Sequence, residues 1–340
     1  MMMITSKNEK MEKKNQTQND SLKQLADVLR NAQRILLFPH INIDGDAAGS
    51  SVALCRALRK SGKQAWVLLE EEMPGYLKFL DEEDFCIIDS SGLPEQDVSF
   101  AVDCSDIQRL GERKAAFERG NRILCLDHHI SNAAFADISY IDSNSASCAE
   151  LAYLLINELE IEIDTDMAEC LYAGIITDTG NFQYSNVKAS THLITADLFE
   201  KGLNHERAII EIYQTVSAEK IQLKSLALQH MKFFAGGRGV ISFVTQDMLR
   251  KSGAELSDAE GIVETLRNIA GIEIAIVLKE QENGGIKATM RAKSTGNVEE
   301  IAASFGGGGH IRAAGCTILR PIAEAEMLLK EAAEEQLRRI

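Results

Sequence analysis

Ile123-Leu-Cys-Leu-Asp127-His128-His129 is the stretch on which the fold turns: a short apolar run ends in one carboxylate and two imidazoles. Four apolar residues bounded by polar ones predict a buried strand, which puts the tripeptide at the strand's C-terminal end. The same setting recurs on either side. His40-Ile-Asn-Ile-Asp44-Gly-Asp46 follows Ile35-Leu-Leu-Phe38, and Asp103 follows Phe100-Ala-Val102. Asp178 follows Ala173-Gly-Ile-Ile-Thr177, which reads as the end of a buried helix. Open α/β sheets collect ligands outside the carboxyl ends of their strands. These stretches together predict one convergent site for hard divalent cations.

Each motif also has a plainer reading. The spacing i, i+4, i+6 at a strand-to-helix turn can aim His40, Asp44 and Asp46 at one small volume, with Gly45 allowing a tight turn and Gly49 a close approach of the helix to the sheet. An Asp-rich helix cap beside an unrelated histidine explains the same residues. Adjacent side chains in Asp127-His128-His129 need not converge, and an aspartate at a strand end is commonly a cap or turn residue. The joint occurrence favours the site, since three of the seven histidines fall in these two motifs. Mixed imidazole and carboxylate ligands suit Mn²⁺ or a related first-row ion better than an all-carboxylate Mg²⁺ site. Cys104 and Cys125 stand near in sequence but are not expected to ligate an oxygen-seeking metal.

A chain of 340 residues is expected to form two domains. Strands expected at Ile35–Phe38, Ala65–Leu69, Phe85–Ile88, Phe100–Val102 and Ile123–Leu126 alternate with helices at Ala47–Lys60, Ala146–Leu159, Met167–Ile176 and Ala189–Lys201. That alternation predicts an α/β domain, a largely parallel sheet with helices on both faces, over 21–204. Residues 1–20 are polar and read as a disordered tail. Residues 205–234 read as a helical linker. Gly236-Gly-Arg-Gly239 then opens a smaller α/β domain over 235–340. Its expected strands are Val240–Val244, Glu273–Leu278, Lys287–Met290 and Cys316–Ile318, with helices at Asp258–Ala270, Val298–Ser304 and Ile322–Arg339.

The net charge of −15 is concentrated before residue 225, where 36 acidic residues face 22 basic ones. Such an acidic body argues against sliding along long duplex DNA, which needs an extended cationic footprint. No apolar run approaches the roughly 20 residues that cross a bilayer. Seven cysteines without a Cys-x-x-Cys pair favour a reducing cytoplasm. A homodimer is left open by the sequence.

The four motifs, in this order, resemble those of the Asp-His-His phosphoesterase superfamily, which includes the exonuclease RecJ, family II pyrophosphatases and cyclic-dinucleotide phosphodiesterases. A fifth stretch, Phe305-Gly306-Gly307-Gly308-Gly309-His310-Ile-Arg312-Ala-Ala-Gly315, resembles the signature of the associated C-terminal substrate domain. A basic C-terminal motif of family II pyrophosphatases is missing, and the chain is short for RecJ. The resemblance is therefore nearest to the two-domain nanoRNase and 3′-phosphoadenosine 5′-phosphate (pAp) phosphatase group, over nearly the whole chain after about Asp20. Two departures stand out: Ile43 where relatives often have proline, and Met290-Arg291-Ala292 where they often have Leu-Arg-Ser.

The resemblance implies two divalent ions, Mn²⁺ first and Co²⁺ or Mg²⁺ as alternatives. One would be held by His40, Asp44 and Asp103, the other by Asp46, Asp103, His128 and Asp178, with Asp103 bridging. It further implies that His129 contacts the phosphoryl group or protonates the leaving oxygen, with Asp127 orienting its neighbours. Arg291, Gly307, Gly308, Gly309, His310 and Arg109 are the implied substrate contacts. Glycines let backbone N–H groups approach an anion closely, although helix termination after Ser304 explains the same run. The implied substrates are short single-stranded oligonucleotides and pAp. A linear-dinucleotide phosphodiesterase (pApA or pGpG), an exopolyphosphatase or pyrophosphatase, and a non-enzymatic nucleotide sensor are the alternatives.

Overall fold

A computed structural model describes residues 21–81 and 83–340, so the tail expected over 1–20 lies outside the described residues. The chain divides after Thr215 into two compact units, each built on its own sheet.

In the first unit the described strands are β1 (Arg34–Phe38), β2 (Gln64–Leu68), β3 (Cys86–Ile87), β4 (Val98–Val102), β5 (Arg122–Asp127) and β6 (Ile138–Ile141), in the order β3-β2-β1-β4-β5-β6. Every pairing is parallel. A parallel sheet is covered on both faces, which is why β1, β4 and β5 are apolar runs without alternation. Helices α1 (Leu22–Asn31), α2 (Gly45–Lys60), α3 (Cys148–Glu158) and α4 (Thr165–Asp178) build the core on one face. On the other, Leu36, Phe38, Leu68, Ala101 and Cys125 pack against Leu110 and Phe117 from the helical turns Ile107–Arg113 and Lys114–Phe117. Helix α5 (Ala189–Glu200) follows α4 in the same unit. Strand β6 escaped the sequence reading because Ile138-Ser-Tyr-Ile is only four residues long and carries a buried serine.

The strand order reverses between β1 and β4, the position where α/β sheets open a crevice at their carboxyl ends. His40 lies just beyond β1 and Asp103 directly after β4. Helix α2 packs closely against α4, and glycine makes that possible. A Cβ on Gly49 would come within 2.2 Å of the Cys170 carbonyl oxygen, and one on Gly45 within 2.4 Å of the Thr177 side chain. The sequence reading gave Gly45 to a tight turn and Gly49 to contact with the sheet. Both instead face α4, and Gly45 is not among the glycines with positive φ.

The helix expected over 205–234 is broken. Helix α6 (His205–Ile209) runs into a π turn, Ile210–Gln214, which ends where the Thr215 hydroxyl donates to the Ile210 carbonyl at 2.9 Å. Ser217 then caps α7 (Ala218–Gln229), accepting from the Lys220 N–H. A capping serine after two β-branched residues favours a new helix start over continuation.

The described strands of the second unit are β7 (Lys232–Phe234), β8 (Gly239–Val244), β9 (Ile274–Glu280), β10 (Ile286–Ala292), β11 (Gly308–His310) and β12 (Ala313–Ile318), in the order β11-β12-β10-β9-β8-β7. Only the β8–β9 pairing is parallel among these. Helices α7, α8 (Gln246–Ser252) and α9 (Ile262–Arg267) cover β8 and β9 on one face. Helices α10 (Val298–Ser304) and α11 (Ile322–Arg338) pack on the other. The expected helix Asp258–Ala270 is shorter because Gly261, at φ 86°, starts it late. The glycine run is no simple loop: Gly308–His310 forms the edge strand β11 against β12. No helix among the described residues is long and apolar enough to cross a membrane.

Candidate metal centre

The first unit brings His40, Asp44, Asp46, Asp103, His128 and Asp178 together from four separate stretches of chain. Their ligand atoms fall into two groups, His40 with Asp44 and Asp103, and Asp46 with His128 and Asp178, each within 4.8 Å, and a third group of the same span, Asp103 with His128 and His129, overlaps them. Asp103 joins them. Its Oδ2 lies 3.7 Å from His40 Nε2 and its Oδ1 3.6 Å from His128 Nε2.

Hydrogen bonds to the backbone set the imidazoles. His40 Nδ1 sits 2.7 Å from the Ile41 carbonyl, which can only accept, so Nδ1 carries the hydrogen and Nε2 presents a lone pair. That Nε2 lies 3.4 Å from Asp44 Oδ2. His128 Nδ1 points at the Ser145 carbonyl at 3.4 Å, leaving Nε2 at 3.7 Å from Asp46 and 3.6 Å from Asp178.

The carboxylates are anchored by helix ends. Asp44 Oδ1 accepts the Ala47 N–H at 3.0 Å and caps α2 while Oδ2 faces His40. Helix cap and site residue, rival readings of the sequence, are thus two oxygens of one side chain. Asp46 accepts the N–H groups of Cys148 (2.6 Å) and Ala149 (2.8 Å) at the start of α3. Asp178 is the last residue of α4. Asp103 occupies a left-handed backbone conformation at φ 55°, a region that Asp enters more readily than most residues.

These acids disfavour their own ionisation. Burial, then the charges of Asp46 and Asp44, push Asp103 well above the usual carboxylate range. Burial, then Asp178, raises Asp46 likewise. Asp178 is pushed up to about 7, first by burial and then by Asp44. Asp44 moves the other way, to about 2: loss of solvation opposes ionisation there, and the hydrogen bond and charge of His40 outweigh it. Asp103 Oδ1 is buried with no hydrogen-bond partner among the described residues. A buried acceptor without a donor, amid mutually repelling carboxylates and imidazole lone pairs, fits a bound cation.

His129 Nδ1 lies 3.5 Å from Asp103 Oδ1 and is engaged by a second carboxylate. The same Nδ1 donates to Asp127 Oδ1 at 2.7 Å. Asp127 also accepts from the His128 N–H (2.9 Å) and from Asn132 Nδ2 (2.6 Å). Burial works against both charges, yet their mutual hydrogen bond raises His129 and lowers Asp127. Asn132 was missed from the sequence; its only signal is a position five residues after Asp127. Asn186, also missed, donates to the Asp178 carbonyl at 3.1 Å and nothing in its sequence context marks it. Arg109 is close enough for its charge to lower Asp44 and His129, and its guanidinium makes no ion pair within 4.0 Å among the described residues.

The substrate contacts expected in the second unit have their own setting. Arg291 Nε pairs with Glu264 at 2.9 Å, and Nη1 donates to the Met290 carbonyl. Gly308 and His310 pair in register with Gly315 and Ala313, and Gly309 has φ 144°. A Cβ on Gly307 would strike the Gly315 carbonyl oxygen at 2.2 Å, so close backbone packing is one demand this run meets.

Residues 34–175 match the DHH family N-terminal domain, and residues 236–339 match the DHHA1 domain. The chain is 29% identical over 324 residues to the bifunctional oligoribonuclease and PAP phosphatase NrnA of Thermus thermophilus, covering 94% of this chain and 95% of that protein. It is 27% identical to the Bacillus subtilis protein of the same description, over 87% and 95% of the two chains. Among solved structures, an exopolyphosphatase-related protein from Bacteroides fragilis superposes with a TM-score of 0.87 at 26% identity, covering 92% of this chain and 95% of that one. RecJ from Thermus thermophilus, solved with Mn²⁺, shares the fold at a TM-score of 0.56 and 15% identity, covering 94% of this chain and 55% of its own.

Proposed function

Since the chain belongs to the DHH family and carries a DHHA1 domain behind its DHH domain, we propose that it is a divalent-metal phosphoesterase of short oligonucleotides and pAp. It hydrolyses the former to mononucleotides and removes the 3′-phosphate of the latter. The observation that carries this reading is the position of Asp103, whose two oxygens face two separate groups of ligand atoms. We assign His40, Asp44 and Asp103 to one ion and Asp46, Asp103, His128 and Asp178 to a second, with Mn²⁺ as the metal. Bound there, the ions supply Lewis acidity, which acidifies water and offsets charge on the phosphoryl oxygens.

The protein's own groups do the rest. With Nδ1 held by Asp127, His129 keeps Nε2 to deliver a proton to the leaving oxygen, the role of a general acid. Arg109 offers its charge to the phosphoryl group. Arg291, His310 and the glycines Gly307, Gly308 and Gly309 bind the terminal phosphate, Arg291 through a guanidinium that stays partly exposed beside Glu264. The cytoplasm is the compartment we assign to this activity, on the reading of six buried cysteines as small apolar residues.

Asp103→Ala tests the reading. Turnover of a 5′-phosphorylated trinucleotide and of pAp with Mn²⁺ is expected to fall to background while the circular dichroism spectrum stays native; undiminished turnover refutes it. The similarity to an exopolyphosphatase-related protein supports a second reading, hydrolysis of inorganic polyphosphate. Phosphate release from polyphosphate exceeding nucleotide release under matched conditions would favour it.

A further inference from the structure

The face of the second sheet that carries Arg291 also carries two lysines that the mechanism leaves unused. Directly paired residues on neighbouring strands share a face. By register, His310, Ala313 and Arg291 form one row across β11, β12 and β10. Gly308, Gly315 and Thr289 form the next, and Thr317, Lys287 and Lys279 a third across β12, β10 and β9. The apolar cluster beneath α7, α8 and α9 draws on β8 and β9 and on none of β10, β11 or β12. Lys287 and Thr317 are accordingly exposed, and Thr289, Arg291 and Gly315 are partly so.

Lys279 and Lys287 stand directly opposite one another on adjacent strands, an arrangement that costs stability for like charges. Neither forms an ion pair within 4.0 Å among the described residues. Glu260 and Glu264 act on Lys279 only through charge, and burial together with Lys287 lowers its basicity. A cation pair kept at such a cost, beside a hydroxyl and a glycine floor, is complementary to a phosphate. Surface lysines kept for solubility gain nothing from facing each other.

We propose that Lys279 and Lys287, with the Thr317 hydroxyl, grip a second phosphate of the oligonucleotide on the same sheet face as Arg291 and His310. The two rows are four residues apart along β10, about 13 Å at strand rise. That reach exceeds the two phosphates borne by one nucleotide and lies within a strand of several. The pair therefore distinguishes oligonucleotides from pAp. This rests on the reading of the enzyme as a short-oligonucleotide hydrolase whose DHHA1 unit binds substrate.

The test is steady-state kinetics of the full-length Mn²⁺ enzyme and of the double variant Lys279→Gln/Lys287→Gln, on a 5′-phosphorylated pentanucleotide and on pAp. KM for the pentanucleotide is expected to rise roughly tenfold, with kcat/KM for pAp changed less than twofold. The slope of log KM against log salt for the pentanucleotide should fall by about 0.7, one single-strand phosphate contact. Lys287→Arg, which keeps the charge, should retain most of the pentanucleotide affinity. Equal losses on both substrates, or no change on either, overturn the proposal while the enzyme's function stands. A wild-type enzyme that turns over neither nucleotide overturns the functional reading and this proposal with it.

Discussion

Asp103 Oδ1 stands 3.6 Å from His128 Nε2, beyond a hydrogen bond and within the roughly 4 Å that two bonds of about 2.1 Å to one small ion allow. The Asp103 carboxyl is raised in the fold, first by burial and then by neighbouring carboxylates. A carboxyl raised on folding costs stability at every pH above its unfolded value, so neutralising it stabilises the metal-free protein. Asp103→Asn is expected to have a higher Tm than wild type in EDTA, by about 2–4 °C for each kcal/mol of repulsion relieved. Added Mn²⁺ should stabilise the wild type by about 2.7 kcal/mol at a hundredfold excess over Kd, so raising its Tm, and leave the variant nearly unmoved. Differential scanning fluorimetry with and without metal checks both signs.

Asp127 and His129 act as a pair in which one holds and the other reacts. His129→Ala should lower kcat by about 10²–10⁴-fold and leave Mn²⁺ affinity within twofold, read by calorimetric titration. Asp127→Asn should cost about 10–100-fold, because an amide can still occupy the space between His129 and Asn132. A large loss of metal affinity in His129→Ala would make it a ligand instead.

Gly49 separates α2 from α4 by less than a methyl group's width. Gly49→Ala puts a Cβ 2.2 Å from the Cys170 carbonyl oxygen, which is backbone and can yield only if the helices part. A loss of about 1–3 kcal/mol is expected, together with weaker metal binding as Asp46 moves with its helix. Gly92→Ala, where no atom lies within 4 Å of the new Cβ, is the control and should unfold at the wild-type temperature.

Glu273 holds the turn before α10. Its carboxylate accepts from the N–H groups of Ser294, Thr295 and Gly296 at 2.6–2.9 Å and from the Ser294 hydroxyl at 2.8 Å. Burial opposes ionisation, but the donors hold the group at about 2, below its ordinary 4.5. A depressed carboxyl contributes stability that is full above the unfolded value and lost as pH falls through the folded one. Glu273→Gln should therefore cost about 1–2 kcal/mol at pH 7, allowing for solvent screening, with the two proteins converging between pH 4.5 and about 2. Urea titrations across that range measure the difference.

The alternation of apolar runs and amphipathic stretches already implied two α/β domains and carboxyl-end clusters, because a buried parallel strand must be apolar throughout and its polar residues collect where it ends. Local pattern failed at Ile138–Ile141 and Gly308–His310, strands too short or too glycine-rich to carry a periodic signal. It failed again at Thr215–Ser217, where a cap interrupts an otherwise helical composition.

From the chain of letters alone came the ligand types, their order and the ends of the elements that bear them, since these follow from short-range periodicity and capping. Three-dimensional packing alone decided which oxygen of Asp103 faces which histidine, that Asp46 is moored to the start of α3, and that Gly45 and Gly49 serve the contact with α4. Those relations join residues up to about 130 positions apart, and no local pattern encodes a contact whose two halves meet only once the sheet has formed.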